Sequence, residues 1–303
     1  MVIDRMMTDA DKPFVLLGLG EVLWDLLPGG KQLGGAPANF AYHACALGGR
    51  GVVASCVGDD DLGREILAKL DALQVDRSAV ATDGEHPTGT VSIDVDDQGQ
   101  PNYTIHEGVA WDFISAGANL LATAARADAM YFGSVAQRSP VSRRTIRRCL
   151  AAASGDCLRI YDINLRQSYY SREIIDRTLA LSDVLKLNEE ELVVVAEMLS
   201  ISGSQDDVQA ELLRRYSLRL VVLTRGEGGS VIRSADRTSV CPGQKVRVVD
   251  TVGAGDAFTA AVAVGLLRGG DLDTVHRHAA RVAAFVCTRA GATPDVPLEL
   301  RQF

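Results

Sequence analysis

Short apolar runs of strand length alternate with segments of helical periodicity along nearly the whole chain. The first run covers residues 14–19. A helical segment at 37–47 follows, with proline in its first turn, where a missing N–H is harmless. A run at 52–57 and an amphipathic segment at 62–73 continue the series. Beyond Ala116 come apolar runs at 129–135, 159–165, 184–187, 219–224 and 246–249, separated by helical segments near 141–153, 171–182, 189–199 and 206–216. Two more helices are expected near 255–268 and 273–289. Alternation of this kind implies a parallel sheet with helices on both faces. Ligands of such sheets lie at the carboxyl ends of the strands, so the residues just after each strand are the ones to read for chemistry.

One stretch breaks the pattern. Residues 88–95 alternate apolar and polar, 96–99 (Asp-Asp-Gln-Gly) form a turn signal, and 102–106 read as a returning strand. This is an antiparallel hairpin, a flap inserted into a βα chain. There is no repeat, low-complexity tract or long linker, so residues 1–303 read as a single domain with lid segments at about 25–36 and 88–112.

Composition narrows the function. Hydrophobic residues make up 47% and charged residues 23%, which is globular. The net charge of −8 argues against a non-specific nucleic-acid binder but leaves an anionic substrate open. None of the six cysteines forms a CxxC pair, which favours reduced thiols and a cytoplasmic location. His276 and His278, two apart on a helix, point to different faces and are poor joint metal ligands. Residues 1–12 lack the apolar core of a signal peptide, and no apolar stretch reaches 18 residues, so no membrane span is expected.

Two nucleotide motifs fail on inspection. Gly18-Leu19-Gly20 follows a strand but lacks the third glycine of a dinucleotide fingerprint, and Glu21 and Asp25 would repel a pyrophosphate. Gly30-Lys31 is followed by Gln32, so it is no Walker A motif, and no HRD or DFG occurs. The informative segment is Asp250-Thr251-Val252-Gly253-Ala254-Gly255-Asp256-Ala257-Phe258, between a strand and a helix. Its glycines let successive amides curl around one concavity at a helix N-terminus, an anion site suited to a phosphoryl group. Asp256 then stands in the first turn, either complementing the helix dipole or acting as a general base.

That segment resembles the C-terminal signature of the ribokinase-like carbohydrate kinases, the PfkB family. Gly34-Gly35-Ala36-Pro37-Ala38-Asn39-Phe40-Ala41 and Gly58-Asp59-Asp60-Asp61-Leu62-Gly63 are similar to the N-terminal signature. The resemblance spans about residues 14–297. It implies an α/β, ribokinase-like three-layer sandwich with a mostly parallel sheet and a small β flap. It further implies Asp256 as catalytic base and Gly253, Ala254 and Gly255 as its anion hole. Asp25, Gly34, Gly35 and Asn39 would contact the sugar. Lys186-Leu187-Asn188-Glu189-Glu190-Glu191 resembles the family's N-x-x-E element, with Asn188 toward the phosphates of ATP and Glu191 holding water around Mg²⁺. Thr224, Gly226 and Gly229 would border the nucleotide phosphates, and Gly291 and Ala292 would belong to the adenine wall. Asp250, with nearby carbonyls, would offer a monovalent-cation site for K⁺.

Within the family the chain looks most like the fructokinases, through residues 20–28, Pro37, Ala110-Trp111-Asp112 and Asp162-Ile163-Asn164-Leu165-Arg166. Trp111 would lie over a sugar face or pack in the core or flap. Arg166 would bind phosphoryl or substrate, or form a structural ion pair. The expected activity is ATP-dependent phosphorylation of the 6-hydroxyl of fructose. A 2-keto-3-deoxygluconate kinase and a catalytically dead sugar-binding regulator are the alternatives. The exposed flap edge suggests a surface for a homodimer.

Overall fold

The computed structural model describes residues 13–27, 29–95 and 101–302, so the expected turn at 96–99 and the segment 1–12 lie outside the described residues. In chain order the strands are β1 (Val15–Leu19), β2 (Leu23–Leu27), β3 (Gly30–Gly34), β4 (Arg50–Gly58), β5 (Asp76–Asp83), β6 (Thr90–Val95), β7 (Pro101–Ile105), β8 (Ala129–Gly133), β9 (Leu158–Asp162), β10 (Val184–Asn188), β11 (Leu220–Thr224), β12 (Ser230–Arg233) and β13 (Thr238–Cys241). Nine of them form one sheet in the order β13-β12-β11-β10-β9-β8-β1-β4-β5. From β11 to β5 every pairing is parallel, and the β12–β13 hairpin closes the other edge antiparallel.

The two faces of this sheet divide the core. Side chains alternate along a strand, so Leu17, Leu19, Met130 and Phe132 point one way and Leu16, Ala129 and Tyr131 the other. The first set packs on α3 (Ala118–Arg126), α4 (Pro140–Ala152), α5 (Arg172–Leu179), α6 (Glu189–Leu199) and α7 (Gln205–Tyr216), through residues such as Leu120, Ile146, Ile175, Leu192 and Leu212. The second packs on α1 (Ala36–Ala46), α8 (Ala254–Leu267) and α9 (Leu272–Cys287), through Phe40, Phe258 and Val275. The result is the ribokinase-like three-layer α/β arrangement.

The remaining strands form a second, four-stranded sheet in the order β3-β2-β6-β7. The expected hairpin is its β6–β7 half, and a parallel β2–β6 pairing joins it to the β2–β3 hairpin. The β2–β3 hairpin was not foreseen as strand, because Leu23-Trp24-Asp25-Leu26-Leu27 does not alternate and Gly30–Gly34 is largely exposed between glycines. The small sheet is rooted by the Gly58–Gly63 motif. Asp60 caps α2 (Asp61–Ala72) by accepting from the Gly63 amide at 2.7 Å, and it also accepts from the Thr88 amide and hydroxyl at 2.8 and 2.6 Å, just before β6.

One expected strand is absent. Residues 246–249 pair with no strand, and Val248 and Val249 are each 58% exposed. The antiparallel β12–β13 hairpin at the edge of the sheet, two strands of four residues each, was not anticipated. The edge strand β5, rich in charge, was also missed.

Candidate active site

Between the carboxyl ends of the parallel strands and the small sheet lies a cleft of about 1420 Å³. The small sheet contributes Leu23, Asp25, Val91 and Ile105, and the strand ends contribute Glu21, Asp162, Arg166, Asn188 and Thr224. Asp256 stands at its floor in the first turn of α8. The N-cap Gly253 has φ 76°, a left-handed conformation that brings it so close to Ala292 that a Cβ would fall 2.6 Å from the Ala292 methyl. A Cβ on Gly255 would lie 3.1 Å from the Lys186 ammonium nitrogen, so the glycine lets a cation stand beside the helix start. First-turn amides have no intrahelical acceptor, and together with that cation they make this an anion-binding corner.

Both oxygens of Asp256 have donors. Asn39 Nδ2, on α1, donates to Oδ2 at 2.9 Å, and the Tyr131 hydroxyl lies 3.2 Å from Oδ1. The same hydroxyl donates to Asp162 Oδ2 at 2.9 Å, and Lys186 Nζ sits 3.0 Å from that carboxylate oxygen. Burial pushes the Asp256 carboxyl up to about 6, and the Asp162 charge adds to it, while Asn39, Lys186 and Tyr131 pull the other way. Such a carboxylate is mostly ionised at neutral pH yet basic enough to accept a proton.

The two ends of the cleft differ in kind. Toward the small sheet it is acidic. Glu21 is 4% exposed, and its Oε2 has no hydrogen-bond partner among the described residues. Burial pushes its carboxyl up to about 7, and that of Asp25 up to about 6. Arg166 lines this end, donating to the Leu165 carbonyl at 2.8 Å. Toward β11 and α9 the wall is small and apolar: Ala280, Ala283, Ala284 and Cys287 from α9, with Val246 and Val248 opposite and the Thr224–Gly229 turn beside them. Asn188 caps α6, its Oδ1 accepting from the Glu191 amide at 2.8 Å. Glu191 returns the bond, its carboxylate accepting from the amides of Asn188 and Leu165 at 2.9 Å each. Burial pushes the Glu191 carboxyl up, and Asp162 adds to it, while Lys186 and these amides oppose the shift.

A family model described as pfkB family carbohydrate kinase matches residues 1–299. The chain belongs to this family. Fructokinase of Klebsiella pneumoniae is 33% identical over 299 residues, covering 92% of this chain and 95% of that protein. Fructokinase of Salmonella typhimurium is 33% identical over 265 residues, covering 83% and 84%. An uncharacterized sugar kinase of Pyrococcus horikoshii superposes with a TM-score of 0.80 at 27% identity, covering 92% of this chain and 93% of that one. Fructokinase of Vibrio cholerae, in a form with fructose, ADP and calcium ion bound, gives 0.78 at 25% identity, with 94% and 96% covered. This kinase is thus a carbohydrate kinase similar to fructokinases.

The cleft gathers most of the residues singled out in the sequence: Asp25, Gly35, Asn39, Arg166, Asn188, Glu191, Thr224, Gly226, Gly229, Gly253, Ala254, Gly255 and Asp256 all line it. Three expectations need correction. Trp111 is fully buried with the Arg138 guanidinium 3.9 Å from its ring centroid, so it packs at the root of the small sheet instead of covering a sugar. Gly34 leaves room for a carboxylate and not for a sugar, since a Cβ there would fall 2.4 Å from Asp25 Oδ2. Gly291 and Ala292 do not line the cleft: Ala292 packs behind Gly253, and the small apolar wall at that end is formed by α9 with Val246 and Val248. Asp250 accepts from the amides of Val252 and Gly291, at 3.0 and 2.9 Å, and the Ala292 carbonyl meets His43 Nε2 at 2.9 Å, a brace between two loops.

Sequence reasoning gave no role to Tyr131, Asp162, Lys186 or Glu21. Lys186 did carry a signal, being a charged residue within the buried strand Val184–Asn188, where it needs a partner. Asp162 closes the buried strand Leu158–Asp162 in the same way. Tyr131 had none, because a tyrosine suits any buried strand.

Proposed function

We propose that this kinase transfers the γ-phosphoryl group of ATP to the 6-hydroxyl of fructose, with Asp256 as general base. The observation that carries the reading is the position of Asp256: ionisable near neutrality, held by Asn39 and Tyr131, and standing where the acidic end of the cleft meets the anion-binding corner. In the reaction the sugar O–H bond breaks as the new O–P bond forms, the proton passes to Asp256, and ADP leaves with the electron pair of the broken P–O bond. The amides of Gly253, Ala254 and Gly255 and the Lys186 ammonium face the charge that builds on the phosphoryl oxygens.

Asp25, Asn39 and the Gly35 backbone take the sugar hydroxyls, and Arg166 reaches the substrate or the phosphoryl group. Asn188, Thr224, Gly226 and Gly229 border the nucleotide phosphates, with the small side chains of α9 against the base. The donor set suits Mg²⁺ held through water: each Glu191 oxygen accepts one amide and keeps a lone pair, and Glu189 and Glu190 stand beside it. When bound, the ion neutralises phosphate charge. The chain acts as one domain whose small sheet is a lid excluding water. The edges of that sheet, β3 and β7, are the surface through which two copies would pair. Free thiols at all six cysteines support a cytoplasmic setting.

A panel of sugars with ATP and Mg²⁺, followed by ADP release, tests the reading. Fructose should exceed the anionic 2-keto-3-deoxygluconate in kcat/KM by about tenfold or more, since an acidic pocket disfavours a second negative charge. A preference for the keto acid would overturn fructose as substrate and make Arg166 the partner of its carboxylate.

A further inference from the structure

Beneath Asp256 lies a line of groups for which phosphoryl transfer alone requires no particular arrangement. The Tyr131 hydroxyl is 3.2 Å from Asp256 Oδ1 and 2.9 Å from Asp162 Oδ2. A phenol has one hydrogen, so it fully serves one carboxylate at a time. The second contact is a full hydrogen bond only when the other carboxyl carries a proton of its own. Lys186 decides which of the two stays ionised. Its ammonium lies 3.1 and 3.0 Å from the two oxygens of Asp162, whose side chain is 1% exposed. Among the described residues, the side chains that donate to Asp256 are the neutral Asn39 and Tyr131.

We propose that Tyr131 is a positioning residue whose hydroxyl switches between Asp256 and Asp162, so that Asp256 is hydrogen-bonded both before and after it takes the substrate's proton. With Asp256 ionised, the hydroxyl donates to its Oδ1. Once Asp256 is protonated, its own O–H donates to the Tyr131 oxygen and the phenol turns its hydrogen to Asp162. No proton leaves the trio. The phenol itself stays protonated throughout: burial first, then the charges of Asp162, Asp256 and Glu21, hold its ionisation well above the usual range. The groups facing Asp256 are Asn39 from α1, Tyr131 from β8, Asp162 from β9, Lys186 from β10, and Glu21 from the loop after β1, which in turn feels Arg166 from the loop after β9, with Glu191 acting through Lys186 and Asp162. The use of this exchange in turnover rests on Asp256 being the base. The exchange itself belongs to the free protein.

The test follows the Asp256 carboxyl by carbon-13 NMR in protein labelled at aspartate, the signal being assigned by its loss in Asp256→Asn. Tyr131→Phe removes a charge-assisted bond to the ionised form and a weaker neutral one from the protonated form, so the titration midpoint should rise. Asp162→Asn removes a neighbouring negative charge and leaves Lys186 in place, so the midpoint should fall. Each change should reach about threefold in proton affinity, roughly half a pH unit. With any sugar that the panel shows to be accepted, the acid limb of kcat should move in the same two directions, while KM for the sugar stays within about twofold. Midpoints that stay put, or move the same way in both variants, would overturn the proposal. A protein that phosphorylates no sugar but whose midpoints move apart would lose the kinase mechanism and keep the exchange. Tyr131→Phe retains the ring stacked 4.7 Å from Phe40, so it decides alone should Asp162→Asn fail to fold.

Discussion

The end of the cleft under the small sheet and the end against α9 are built on different principles. The first works by chemistry: Glu21, Asp25, Asn39, Arg166 and Asp256 converge there, and burial raises all three carboxyls. The second works by shape: Ala280, Ala283 and Ala284 are chosen for what they leave empty, and the glycine turn at 226–229 for the conformations it permits. Polar convergence lets the first end discriminate among hydroxyl patterns, because an unmade hydrogen bond to a buried group is costly. A smooth alanine face discriminates by volume alone, which suits a flat ring held mainly by its phosphates. Asp256 and the start of α8 stand where the two ends meet.

The sharpest way to break this contrast is at the junction. Asp256→Asn keeps the shape and cannot take a proton, so kcat should fall by about 10²–10⁴ while ATP still binds. Turnover near the wild-type rate would reduce Asp256 to a helix-start residue. In the unmodified protein, kcat/KM should decline with falling pH below about 6, where the carboxyl gains its proton. Next in size, Asn39→Ala and Asp25→Ala should each raise KM for fructose by about tenfold or more, with ATP affinity little changed, since each removes hydrogen bonds worth roughly 1–3 kcal/mol. Equal losses for both substrates would mean that the two ends are not separate. The opposite face is probed by Ala284→Leu, which should weaken ATP by roughly tenfold and leave the sugar alone. Tighter ATP binding would show room to spare at that wall.

The smallest effect concerns stability. A carboxyl raised to about 7, as in Glu21, is held protonated more firmly by the folded chain than by the unfolded one. Its contribution therefore favours folding below the ordinary carboxylate range and is lost as pH rises through about 7. Glu21→Gln removes that loss, so Tm should rise by a few degrees at pH 8, about 2–4 °C per kcal/mol, and hardly change at pH 5. Equal shifts at both pH values would point to packing instead of charge.

The same division explains how much could be read from the sequence. The parallel sheet and its helices follow from periodicity, and the junction follows from a segment in which glycines and an aspartate have few other uses. At the chemical end Asp25 and Asn39 were readable because their types carry meaning. At the shape end meaning lies in what is missing, and Ala283 looks like any alanine on a helix. The reading therefore falls on Gly291 and Ala292, which lie outside the cleft, and passes over the alanines of α9 that line it. Val246 and Val248 misled for a related reason: β-branched residues signal a strand, but here they line a cleft and pair with no strand among the described residues. Trp111 is the reverse case, a residue whose type suggests ligand contact but whose ring is fully covered.

Gly34 pairs with Leu23 in the β2–β3 hairpin and lies diagonally across from Asp25, so close to its carboxylate that the absent side chain of one defines the place of the other. For anyone altering sugar preference, these two positions are a single variable. A library that varies residue 25 alone searches only side chains whose tips fit over a bare backbone. One that admits alanine at 34 re-aims the carboxylate without touching the ligand. New specificities should therefore be sought in paired codons, where a shorter acceptor at 25 releases the constraint at 34 and the rim of the pocket can be rebuilt from the far strand.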